Sequence, residues 1–270
     1  MFRRMASILA FCTLLCGSAT AGPPIARFQS ALGDFDVLLD PAAAPVSVAN
    51  FAAYANRGAY DTTIIHRSTT GNPASIQIVQ GGGFELVGNS LDPVITDPPI
   101  PLEAGVANAR GTLAMARATG LNTATSQWYF NVQSNPGLDF NYAVFGRVIG
   151  AGQNVIDAMG RVTVYNASEF LGPTFSGELP LFAPSLDIAN LILINSVRVE
   201  PFAITNITRT NNTTELRWTT LSSNTPVRIE RTTDLVAAPW TVIATNLTSG
   251  IFSDTTAPAR GAYYRIVTEP

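Results

Sequence analysis

The stretch TTIIHRSTT, residues 62–70, contains His66, the only histidine of the 270-residue chain, followed directly by Arg67. An imidazole there could serve as a general base or a metal ligand. A guanidinium loses no proton in water and acts instead as a fixed charge with five N–H donors. The rest of the chain narrows the chemistry. All 16 basic residues are arginine, so lysine Schiff-base mechanisms are excluded. Both cysteines, Cys12 and Cys16, lie near the N-terminus, and nothing after them can form a thiolate nucleophile, a disulfide or a zinc–thiolate site. Asp34, Asp36 and Asp40 cluster around one strand, where they read as solvent-facing, and no carboxylates match a glycosidase pair or a metal site. Gly81, Gly82 and Gly83 lack the Gly-Lys-Ser/Thr continuation of a phosphate loop and read as a turn. No cofactor and no metal are expected.

Strands must position these residues, because period-two alternation dominates. ARFQSALG and DFDVLLD form two strands joined at Gly33-Asp34, with Phe35, Val37 and Leu39 on one face. PVSVANFAAYANRG places Val46, Val48, Phe51 and Tyr54 at helical spacings, with Pro45 at its start and Gly58 at its end. Short strands are predicted at IQIVQ, GTLAMA, QWYFNV and YAVFGRVI. GAGQNVIDAMG reads as a second helix with Val155, Ile156 and Met159 buried, and residues 160–186 as loop before the strand ANLILINSVRV. The class is mainly β, a barrel or sandwich with flanking helices.

Two composition changes divide the chain. Arg3 and Arg4, an apolar run from Met5 to Leu15 and Ala19-Thr20-Ala21 have the layout of a secretory signal peptide over 1–21, cleaved after Ala21. The run is too short to span a bilayer. Its loss would move the net charge from −3 to −5, unfavourable for nucleic-acid binding. After Pro201 the sequence becomes rich in Thr and Asn, and ELRWTT, VRIERT, WTVIAT and AYYRIVT alternate as half-buried strands. A main domain over 22–200 and a small β-sandwich over 201–270, similar to a fibronectin type III module, are expected. Trp218, Trp240, Tyr263 and Tyr264 could form a carbohydrate platform but read as sandwich core.

GDFDVLLDPAAAPVSVANF, IIHRS, VQGGGF, RGTLAMAR, SQWYFNV and YAVFGRVIGAGQNVIDAM together resemble the cyclophilins, peptidyl-prolyl cis-trans isomerases, from about Ala26 to Val199. The resemblance implies a closed eight-stranded barrel with a helix over each end. It places the catalytic arginine on Arg67 and the active-site glutamine on Gln80. Gln127 and the backbone at Ala116 and Arg117 would grip the substrate main chain. Gln77, Ile78, Tyr129, Leu138 and Tyr142 would line the proline pocket. His66 falls on a position that is commonly His in the family and is not the catalyst. The chain departs from the pattern at Gln77, where Phe is usual, and at Gly137, where many members carry an aromatic residue. The loop STTGNPAS is also longer than in typical bacterial members.

The implied function is rotation of X-Pro bonds in exported proteins, in the periplasm or outside the cell, with proline-containing segments as partners. The C-terminal module would bind a surface or a partner protein. A non-catalytic binder of Pro-containing peptides and a surface adhesion protein are the alternatives.

Overall fold

The structure, a computed structural model, describes residues 23–70, 76–168, 178–185, 187–221, 225–258 and 261–269. The leader expected at 1–21 and most of the STTGNPAS loop lie outside the described residues.

Strands β1 (Ile25–Ser30) and β2 (Phe35–Leu39) form a hairpin whose turn places Gly33 at φ 121°, open to glycine and strained for other residues. Helix α1 (Pro45–Asn56) follows with proline in its first turn. Its N-cap, Ala44, has no side-chain acceptor. The Glu103 carboxylate takes that role, accepting from Val46 N–H at 3.0 Å, Ser47 N–H at 2.7 Å and the Ser47 hydroxyl at 2.8 Å. Ser47 is therefore buried while Val46, expected on the apolar face, points outward.

The chain continues through β3 (Thr63–Ile64), β4 (Arg67–Ser68), β5 (Ile78–Gly81), β6 (Phe84–Val87) and β7 (Ser90–Pro93). Next come β8 (Thr112–Arg117), β9 (Ala124–Asn131), β10 (Val144–Val148) and helix α2 (Gly152–Arg161). The segment expected to be loop contributes a short ladder, β11 (Val164–Tyr165) with β12 (Leu179–Pro180), before β13 (Leu193–Glu200).

Eleven strands form one curled sheet in the order β4-β5-β9-β8-β10-β2-β1-β13-β3-β6-β7. This corrects the expected closed eight-stranded barrel, because the pairing order is open and ends at β4 and β7. The extended segment breaks between Ile64 and Arg67, so β3 and β4 pair on different sides. Ile65 N–H donates to Ile192 O at 3.0 Å, and His66 N–H donates to Gln80 O at 3.0 Å. The β6–β7 hairpin then extends the sheet beyond β3.

Alternation sorts the side chains. Val79 of β5, Leu113 and Met115 of β8, and Trp128 and Phe130 of β9 enter the main core with Phe28, Phe35 and Phe51. Phe28 stacks on Phe35 at 4.8 Å and meets Trp128 edge-on at 5.3 Å. The intervening residues of β5, β8 and β9 face the other way and form the candidate site described below.

After Glu200 come β14 (Ile204–Thr210), β15 (Thr213–Trp218), β16 (Val227–Thr232), β17 (Thr241–Leu247), β18 (Ile251–Asp254) and β19 (Tyr263–Thr268). They form two three-stranded sheets, β14-β15-β18 and β17-β16-β19. Trp218, Leu216, Val227 and Ile229 share one apolar cluster with Phe202 and with Ile25 and Ile149 of the first part of the chain. This contact explains a second departure from expectation. Asp36 has no exposed surface, because the outer side of β1–β2 is covered, and it accepts from Arg27 Nε at 3.3 Å while Arg27 also donates to the Thr220 carbonyl.

The connection at residues 201–203 is pinned by Thr219, whose hydroxyl donates to Pro201 O at 2.9 Å, and by the buried Phe202 ring. Phe202→Ala should cost about 3–5 kcal/mol by cavity formation, measured by denaturant unfolding. It should also open a protease site near residue 201 that wild-type protein resists. Equal resistance in both proteins would show that the ring does not hold this junction.

Candidate active site

The outward residues of β5, β8 and β9 lie side by side. Antiparallel pairing sets Arg67 opposite Gln80, Gln80 opposite Tyr129, and Ala114 opposite Tyr129. Paired residues point to the same face, so Arg67, Ile78, Gln80, Ala114, Ala116, Gln127 and Tyr129 converge from four strands.

A polar line crosses this face. Arg67 Nη1 donates to Gln80 Oε1 at 3.3 Å, and Gln80 Nε2 donates to Gln127 Oε1 at 2.7 Å. Arg67 Nε donates to the Glu178 carboxylate, while the Glu178 carbonyl accepts from Ser68 N–H at 2.7 Å. The Arg67 side chain keeps 43% of its surface exposed.

Beside the polar line lies an apolar cluster of Ile78, Ala114, Ala116, Tyr129, Leu138 and Val144, with Tyr142 packed on its edge. Leu138 arrives from a 3-10 turn, Pro136–Leu138. Tyr129 and Tyr142 meet edge-to-face at 5.7 Å, and the Arg117 guanidinium lies 4.7 Å from the Tyr142 ring centroid while its Nε donates to Asn141 O at 2.8 Å. The Arg117 side chain thus braces the Tyr142 ring. The β8–β9 ladder breaks between Met115 and Arg117, leaving the Ala116 backbone out of register and near the cluster. A Cβ added at Gly137 would meet nothing within 4 Å, so the mouth is open there.

Gln77 is polar where the family resemblance implies Phe. It directly precedes Ile78 of β5 and is half-buried. Its backbone is held by Asn135, whose Oδ1 accepts from Gln77 N–H at 3.0 Å and whose Nδ2 donates to Gln77 O at 3.0 Å. Asn135 also donates to Asn131 Oδ1 at 2.8 Å, and Asn108 Oδ1 accepts from the Tyr129 hydroxyl at 2.7 Å. These buried asparagines fix β5 and the Tyr129 ring from behind. Burial raises the Tyr129 phenol well above its ordinary range, so it remains a neutral donor. Sequence reasoning missed Asn108, Asn135 and Glu178, since each sits in sequence that reads as exposed loop.

His66 stands apart from the apolar cluster. It is buried, edge-on to Phe84 at 5.2 Å, and a Cβ at Gly83 would lie 3.0 Å from its Cε1. Burial lowers its pKa to about 4, helped by the Arg67 charge and opposed by a hydrogen bond with Gln127. The imidazole is neutral at pH 7. Of the three glycines read as a turn, Gly81 ends β5 and Gly82 and Gly83 bend the chain into β6; Cβ atoms at Gly81 and Gly82 would lie 2.6 Å from the Trp128 indole, and Gly82 has φ 74°.

Among the described residues no group of three or more His, Cys, Asp or Glu side chains could hold a metal ion. No helix among them is long and apolar enough to cross a membrane.

The family model for cyclophilin type peptidyl-prolyl cis-trans isomerase/CLD matches residues 25–174, which include β4, β5, β8 and β9. The chain belongs to the cyclophilin family. Peptidyl-prolyl cis-trans isomerase A of Dickeya dadantii is 41% identical over 145 residues, covering 51% of this chain and 72% of that protein. A peptidyl-prolyl cis-trans isomerase of Acinetobacter baylyi is 37% identical over 169 residues, covering 60% and 84%. Peptidyl-prolyl cis-trans isomerase B of Escherichia coli is 37% identical over 140 residues, covering 48% and 80%. This cyclophilin is an enzyme of the isomerase class expected from its sequence.

Two outcomes follow from the site's packing. The depressed His66 pKa means that the unfolded chain takes up a proton below pH 6.5 that the folded chain refuses until about pH 4. Stability present above pH 6.5 should fall by roughly 3 kcal/mol as pH drops to 4, and His66→Gln should remove that slope. An unchanged slope in His66→Gln would assign it elsewhere. Phe140, on the rim between Leu138 and Tyr142, is 78% exposed with φ 63°, in the left-handed region. Phe140→Gly should raise unfolding free energy by about 1 kcal/mol, because the strain removed exceeds the glycine entropy cost. A loss of stability would show that the ring is packed.

Proposed function

We propose that this cyclophilin accelerates rotation about X-Pro bonds by arginine-assisted stabilisation of the twisted amide. Breaking amide conjugation costs about 18–20 kcal/mol. At the top of that barrier the prolyl nitrogen is pyramidal and its lone pair accepts a hydrogen bond. Arg67 supplies the donor, and no proton is transferred. Gln80 orients the guanidinium and is itself held by Gln127. The prolyl ring rests against Ile78, Tyr129 and Leu138 while the preceding residue turns. The out-of-register backbone at Ala116 takes the substrate main chain, and Tyr142 closes the far wall with Arg117 behind it.

The observation that carries this reading is the hydrogen-bonded line Arg67–Gln80–Gln127 beside the apolar cluster. A fixed cation next to a proline-sized apolar surface is what the twisted amide requires. The neutral, buried His66 supports a mechanism without an acid–base pair.

We further propose that residues 1–21 direct export and that the substrates are proline-containing segments of exported proteins. Uncatalysed isomerisation takes tens to hundreds of seconds, so folding outside the cytoplasm gains from the catalyst. The unit after Pro201 acts as a fibronectin type III-like module that tethers the isomerase to a surface or partner.

The test is an isomerisation assay of the full chain on an X-Pro peptide. Arg67→Ala should lower kcat/KM about 10²- to 10³-fold, the usual loss for one such donor. Arg67→Lys should restore little, lacking the planar fork. Wild-type rates in Arg67→Ala, or an inflection near pH 6.5 in the rate profile, would remove the arginine from its role.

A further inference from the structure

Arg67 uses two of its edges within the protein. Nε donates to Glu178 and Nη1 to Gln80, and among the described residues no bond to Nη2 is formed. A half-exposed arginine on a flexible stem samples many rotamers unless something holds it. Gln80 alone, at 3.3 Å, is a weak restraint. Most exposed ion pairs hold little, because both partners move.

Glu178 differs from an ordinary surface partner because its own backbone is fixed. Its carbonyl accepts from Ser68 N–H at 2.7 Å, next to Arg67 itself. Leu179, the following residue, is fully buried in a cluster with Ile64, Leu181 and Leu191. The β12 ladder to β11 anchors the segment further, with Leu179 opposite Tyr165. The carboxylate therefore starts from a rigid point beside the guanidinium and accepts on its Nε edge. Among the described residues the Nη2 edge stays free.

We infer that Glu178 is a positioning residue for Arg67, clamping the guanidinium so that its free edge presents donors to the twisting X-Pro bond. This rests on the catalytic reading of Arg67 proposed above. The carboxylate touches no substrate and acts only through the arginine. A guanidinium held in place loses less freedom on reaching the transition state, so the benefit falls on turnover rather than on peptide binding.

The experiment is a double-mutant cycle on the full chain, with kcat and KM measured on one X-Pro peptide. Glu178→Ala should lower kcat on the order of tenfold and leave KM within about twofold. Glu178→Gln keeps an acceptor for Nε and should stay within about threefold of wild type. In the Arg67→Ala background, Glu178→Ala should have no further effect. An unchanged kcat in Glu178→Ala would reduce the pair to a surface contact and overturn the inference. A raised kcat would overturn it too, making the carboxylate a brake on the arginine. A further loss in the Arg67→Ala background would show that Glu178 acts elsewhere. If the catalytic reading itself is wrong, Arg67→Ala alone keeps the wild-type rate, a result separable from every effect of Glu178.

Discussion

Residues 63–68 are shared between two sides of the sheet, and the arrangement of the site follows from that constraint. Consecutive N–H groups of an extended chain point in opposite directions, so one short segment can bond to two neighbours. Here Ile65 bonds toward Ile192 and His66 toward Gln80, which brings the β13 side and the β5 side of the curled sheet together. The same segment separates its two conspicuous residues. Arg67 pairs with Gln80 on the outer face, while His66 is enclosed between Phe84, the Gly83 backbone and Gln127. The imidazole, which in water would exchange a proton near neutrality, is thus buried and neutral, and the fixed charge is the one exposed.

The strands behind the site have two faces with opposite duties. Val79, Met115, Trp128 and Phe130 join the largely aromatic core, and their sequence neighbours Ile78, Ala116, Gln127 and Tyr129 lie on the opposite face, at the candidate site. A rigid core on one face limits movement on the other. Glycine at positions 81 and 82 lets β5 approach the Trp128 indole at distances no other residue would permit. Buried asparagines add direction to this rigidity, since Asn135 grips the Gln77 peptide and Asn108 orients the Tyr129 hydroxyl. The Gln77 backbone is thereby fixed next to Ile78, the first residue of β5.

Segments outside the regular strands complete both ends of the molecule. The stretch that reads as loop brings Glu178 to Arg67 and covers β4 with β12, an edge that would otherwise offer unpaired backbone groups. At the other end, the sheets after Glu200 share an apolar cluster with Ile25 and Ile149 and cover β1–β2. The C-terminal strands therefore add to the burial of the first part of the chain.

Sequence alone determined the strands and helices with clear periodicity, because alternation and helical spacing are local properties of side chains. β1, β2, β5, β8, β9, β10 and both helices stand where the pattern places them, and the outward residues of β5 and β9 could be read from their parity. The face that each strand presents to its neighbours was legible for the same reason. What tertiary structure decided was everything that depends on a distant partner. Asp36 reads as exposed in a polar–apolar alternation and is buried only because later sheets cover it. Val46 lost its place in the core to Ser47, because a carboxylate 56 residues further on caps the helix. Glu178 lies 111 residues from Arg67 in the chain, in a segment without periodicity, so no local pattern points to their pairing. Alternation likewise says nothing of where a strand breaks, and the break between Ile64 and Arg67 is what leaves the sheet order open.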